Sequence, residues 1–221
     1  MANTEGPTGI APLARAATLT AALLVIPAAA RAQSVDGDSV VYVLAPASQL
    51  DVRTGKAGLL GFAGHAHLIR AREFSGRVIY RPAAPGASRV EIIIETAGLA
   101  VLTPPDTEEI RKVTAAMRAE VLDVAQYPEI RFTSRHLQLH DGRGERQLQL
   151  TGALTIKGQT REVPIEGQVE LGPDTLRVVT SFAVNQTDFG IRPYRGGPGG
   201  TVRVADKVTF AIKAVAIRQG S

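Results

Sequence analysis

The chain has 221 residues, with 25 Lys or Arg against 21 Asp or Glu, a formal charge of +4, and no cysteine. Disulfides and thiolate-ligated metals are therefore excluded, and stability has to come from packing. The charges are interspersed, without the basic stripe and stacking aromatics of a nucleic-acid binder, and the length suits one domain of ordinary size.

The N-terminal stretch "ARAATLTAALLVIPAAARAQS" has Arg15, then no charge from Ala16 to Ala30, then Ala30-Arg31-Ala32. A basic flank, a short apolar core and an A-x-A site form the pattern of a secretory signal. Residues 1–32 are expected to be removed, leaving residues 33–221 as one periplasmic or secreted domain. The apolar run is shorter than the ~20 residues of a membrane-crossing helix.

Most of the remaining chain alternates apolar and polar residues with period two, the pattern of strands with one buried face. Such runs occur at Val40–Leu44, Leu50–Thr54 and Phe74–Tyr80. In "RVEIIIET", Val90, Ile92 and Ile94 share one face and Glu91 and Glu95 the other. Ile130–Leu139, Gln147–Ile156, Arg161–Leu171 and Leu176–Val184 continue the series, and "KVTFAIKAVAIR" closes it. Turn signals such as "RPAAPGAS", "HDGRGE", "IKGQT" and "LGPD" separate these runs. Eight or more strands with short connections predict an antiparallel barrel or sandwich.

One segment departs from period two. "PPDTEEIRKVTAAMRAEVLDVAQYP" opens on acidic residues after two prolines and carries Ile110, Val113, Met117, Val121 and Val124 at helical spacing. It predicts one amphipathic helix, Thr107 to Ala125, packed on the β domain. Membrane contact through this face is expected to be at most transient.

The stretch "GLLGFAGHAHLIRAREFSG" places His65 and His67 two apart, on one side of a strand. By the alternation that points Ile130 and Phe132 inward, His136 also points inward. Three readings stay open: ordinary strand residues, the polar lip of a pocket where imidazoles donate to a ligand oxygen, or a three-histidine metal site. The last wants carboxylates to orient the rings, and Glu73 alone is near in sequence. No Gly-x-Ser-x-Gly, phosphate loop or dinucleotide fingerprint is present.

Five ordered segments carry a family resemblance: "YVLAPAS", "REFSGRVIYRP", "AAMRAEVLDVAQYPEIRFTS", "LTGALTIKGQTREVPI", and "TDFGI" with "VADKVTFAI". From Val41 to Ile217 the chain resembles the YceI-like family of exported, polyisoprenoid-binding proteins. It departs from the family pattern at Ala45 and Ser48-Gln49, where members often carry an acidic residue and a His-Ser pair; the Gly-His-Ala-His segment marks a subgroup-like variation. The resemblance implies an all-β, antiparallel, lipocalin-like barrel of about eight strands with the helix packed on it. It also implies a non-enzymatic protein, without cofactor, that carries or sequesters an isoprenoid, quinone-like or other long-chain amphiphilic lipid. A barrel of this size is wide enough for side chains to fill or for one small ligand. The expected ligand-contacting residues are Phe62, His65, His67, Phe74, Ile92, Ile94, Met117, Phe132, His136, Phe182, Phe189, Ile191 and Phe210. The rival readings are a His-ligated metal-dependent enzyme and a structural module with a filled core.

Overall fold

The computed structural model describes residues 39–56, 66–103, 107–142, 145–196 and 202–220. Its strands are β1 (Val40–Leu44), β2 (Gln49–Lys56), β3 (Leu68–Ala71), β4 (Phe74–Tyr80), β5 (Arg89–Glu95), β6 (Leu99–Val101), β7 (Glu129–Asp141), β8 (Arg146–Ile156), β9 (Gln159–Leu171), β10 (Thr175–Asn185), β11 (Arg195–Gly196) and β12 (Val202–Arg218). Every described pairing is antiparallel, and β1 pairs with both β4 and β12, so the sheet closes on itself.

The first three staves of this barrel are each broken into two strands. β1 and β2 follow one edge of β12, bridged by Ala45 N–H donating to Val215 O at 2.7 Å. β3 continues into β4 and β5 into β6, with Arg72 N–H donating to Gly98 O and Glu95 N–H to Glu73 O across the two breaks. Adding β7, β8, β9, β10 and β12 gives eight staves, the number that leaves room for side chains or one small ligand.

Local sequence explains the tight connections. Lys157 and Gly158, both at positive φ (49° and 71°), join β8 to β9. This is the two-residue turn whose twist matches the flanking strands. A Cβ on Gly158 would sit 3.0 Å from Tyr127 Cε1, so glycine also gives that ring its place. Between β7 and β8 the register shifts at Ser134/His136, with Arg135 as the extra residue. A bulge of this kind reverses which side the following residues face.

The helix is shorter than the apolar spacing predicts. α1 runs Thr107–Ala116 and passes into a π-helical turn, Met117–Val121, where Leu122 N–H donates to Met117 O at 2.9 Å. Helix geometry ends there, and Asp123 takes a positive φ of 52°. Tertiary tethers account for the early stop. Arg118 Nη2 donates to Ala97 O (2.5 Å), Lys157 Nζ to Val121 O (3.1 Å), and the buried Thr96 donates its hydroxyl to Tyr127 O (2.9 Å). Together they fasten the segment to the kink between β5 and β6 and to the β8–β9 hairpin. Glu108 and Glu109 lie in the first turn, favourable to the helix dipole. A hydrogen bond from Lys112 lowers the pKa of the exposed Glu108 below its ordinary value.

The closed topology sorts the connections between two ends. The starts of β1, β5, β8 and β10 and the ends of β4, β7, β9 and β12 gather at one end. α1, the β8–β9 hairpin and the 3-10 turn Gln186–Phe189 gather at the other.

Candidate functional site

The inward-facing rows bound a cavity of about 240 Å³ inside the barrel. On β10, Val178, Thr180, Phe182 and Val184 face it and alternate with exposed residues. β12 contributes Val208, Phe210, Ile212, Ala214 and Ala216, and β5 contributes Val90, Ile92 and Ile94. Met117, Val121 and Leu122 reach in from the π-helical turn. Phe182 and Phe210, paired in register, stack with centroids 4.9 Å apart and planes 2° from parallel.

Five polar side chains of this wall are held by the protein itself. Thr180 Oγ1 donates to Glu166 O (2.5 Å), Thr54 Oγ1 accepts from His67 N–H (3.0 Å) and Gln186 Nε2 donates to Ala205 O (2.8 Å). Ser88 Oγ accepts from Arg81 N–H (3.0 Å), and the Asp51 carboxylate takes both Nε and Nη2 of Arg70 at 2.7 and 2.8 Å. That bidentate hydrogen bond, partly opposed by desolvation and aided by the opposite charge, raises the Arg70 pKa. Among the described residues, no buried side-chain nitrogen or oxygen lacks a partner. The lumen therefore presents hydrocarbon to whatever enters it.

Of the residues expected to touch a ligand, Ile92, Ile94, Met117, Phe132, Phe182, Phe189, Ile191 and Phe210 line the cavity. Phe74 packs against the core beside it. Phe62 and His65 lie outside the described residues, as do residues 1–32. His67 is half-buried, with Nδ1 2.8 Å from Thr103 O. A carbonyl only accepts, so Nδ1 carries the proton. The ring thus ties β3 to the segment after β6.

His136 corrects the alternation argument. The extra residue Arg135 reverses the facing of the strand, both Arg135 and His136 are exposed, and Leu137 takes the inward position. His67 and His136 therefore do not share a face of the lumen, and the convergence a three-histidine site requires is not formed by this pair.

Several lining residues were not singled out from the sequence, among them Val52, Ile69, Val178, Thr180 and Ile212. Four of these sit on the alternations that mark the strands. Their signal was period two on staves that carry few aromatic residues.

A void of this size is costly. At ~24 cal/mol per Å³, about 240 Å³ of empty apolar space forgoes about 6 kcal/mol relative to a filled interior. That is on the order of the whole net stability of a domain. Engineered apolar cavities of about 150 Å³ stay dry and take up small apolar molecules.

Residues 47–216 match the YceI-like domain family. No curated protein matches this sequence. Among solved structures, the crystal structure of Burkholderia cenocepacia BcnA is similar at a TM-score of 0.59 and 19% identity, covering 76% of this chain and 95% of that one. A polyisoprenoid binding domain from Saccharophagus degradans, implicated in plant cell wall breakdown, is similar at a TM-score of 0.59 and 13% identity, covering 82% of this chain and 99% of that one. At these identities the structural likeness carries the fold, while the family match spans the barrel from before β2 to Ala216 of β12. This chain belongs to the YceI-like family.

Proposed function

We propose that this protein is a non-enzymatic carrier or sequestering protein for an isoprenoid, quinone-like or similar long-chain amphiphile, held in the barrel lumen. The observation that carries this reading is the apolar cavity, in which, among the described residues, no buried side-chain nitrogen or oxygen is left without a partner. A hydrocarbon chain entering it gains ~0.8 kcal/mol for each CH₂ taken from water. The polyisoprenoid binding domain with this fold supports the choice of ligand class. The N-terminal sequence supports action outside the cytoplasm after removal of residues 1–32.

Native mass spectrometry with lipid extraction of the purified protein tests the reading. A stoichiometric long-chain lipid is expected in the wild type and its loss in Ile92→Arg, which places a charge in the apolar wall. A protein that co-purifies with no lipid and binds no added chain would instead favour a structural module. Export is checked separately by the mass of the secreted chain, expected to begin at Gln33.

A further inference from the structure

The lumen does not end in hydrocarbon at both ends. At the end opposite α1, the inward rows of β8 and β12 terminate in Arg146 and Arg218. Arg146 is the inward residue before Leu148 and Leu150, in register with Val169. Arg218 follows Ala214 and Ala216 on the same face, in register with the buried Tyr42. Tyr80 ends the inward row of β4, and Arg146 Nη1 donates to its hydroxyl oxygen at 3.3 Å. These three residues border a surface depression of about 450 Å³. Tyr80, Val169 and Leu171 line both this depression and the lumen, so the two spaces share a wall.

We propose that this depression holds the anionic head group, a phosphate or carboxylate, of the amphiphile whose chain occupies the lumen. The assignment rests on the lumen reading above and adds the chemistry of the head. Arginine presents a planar fork of donors that matches a phosphate or carboxylate with two bonds. The Tyr80 oxygen already accepts from Arg146, which leaves its own hydrogen to donate to the anion. Carboxylates near the depression, Asp141 and Glu170 among them, oppose the anion. Asp141, in register with Arg146, has an oxygen 3.2 Å from Arg146 Nε but is itself 90% exposed. Glu170 lies at the rim on the outward face of β9, opposite Arg177. The inward layer thus places the Arg146 and Arg218 guanidinium groups at the mouth of the apolar lumen. Apolar chain below and cationic fork above match an anionic amphiphile in one orientation, head toward the start of β1 and tail toward α1.

Binding of decyl phosphate, decanol and inorganic phosphate, each below any micelle-forming concentration, tests this by calorimetry on the intact protein. Decyl phosphate is expected to bind more tightly than decanol, and both far more tightly than inorganic phosphate. Arg146→Gln and Arg218→Gln should each weaken decyl phosphate about ten-fold, since charge-assisted bonds at a half-exposed site are being removed. Decanol affinity should change far less than that of decyl phosphate, and circular dichroism should show the barrel retained. Asp141→Asn should tighten decyl phosphate several-fold, a gain that general damage to the fold would not produce. Equal binding of phosphate and alcohol in the wild type, with no response to the arginine variants, would overturn the head-group site while leaving the lumen reading intact. Inorganic phosphate binding as tightly as decyl phosphate would overturn it in favour of a site for free anions. Failure of both chains to bind would remove the lumen reading and this site together.

Discussion

Replacing Val178 with Phe distinguishes an empty lumen from a packed core by the sign of a stability change. Val178 faces the cavity, and its in-register neighbours, Ala214 on β12 and Val169 on β9, are small. Phenylalanine adds four carbons. At ~0.8 kcal/mol per buried carbon the transfer gain is at most about 3 kcal/mol, and ordering the ring leaves about 1–2 kcal/mol. The gain draws on the roughly 6 kcal/mol that the void forgoes. For a chain of this size it raises Tm by about 2–8 °C. A ring in that space also displaces the contacts of about four ligand carbons, so affinity for a long alkyl or prenyl probe should fall about ten- to a hundred-fold. Thermal melts by circular dichroism on delipidated protein, with fluorescent-lipid titration, measure both. In a fully packed barrel the same substitution overpacks and costs about 1–3 kcal/mol. A lowered Tm together with unchanged lipid affinity would refute the cavity argument.

Other substitutions probe the frame around the lumen. Gly152→Ala places a Cβ inside contact distance of the Phe132 ring and 2.8 Å from Thr133 O, and should cost about 1–3 kcal/mol by thermal melt. Gly55→Ala, whose Cβ among the described residues meets only Ala205 Cβ at 3.2 Å, should be tolerated within about 1 kcal/mol. Asp51→Asn removes the carboxylate that holds Arg70 by two bonds and should cost about 1–3 kcal/mol of stability, without changing affinity for a chain probe. His67→Ala loses the hydrogen bond to Thr103 O and should lower stability by about 0.5–1.5 kcal/mol, again with chain binding unchanged; a large loss of binding would return His67 to the pocket lip.

Alternation alone determined a great deal about this protein. Period two marked eight staves' worth of strand and, in Ile92, Ile94, Phe182 and Phe210, the inward face, because a strand puts every second side chain on one side whatever its partners. The single period of 3.6 located the helix, and "IKGQT" marked a connection that the structure forms as the two-residue turn Lys157-Gly158, at a positive φ that glycine accepts without strain.

Tertiary structure decided three further things. One inserted residue, Arg135, turned His136 outward: a bulge is a local miscount between two strands, and the hydrophobic period of one strand does not contain it. The helix stops at Val121 although Val124 continues its spacing, because Arg118, Lys157 and Thr96 fasten that segment to distant backbone. Whether the barrel is filled or hollow, and that Arg146, Arg218 and Tyr80 meet at one end, depend on eight staves closing at a given register. Side-chain volumes sum only across that closed circle, so no single stretch of sequence carries the total.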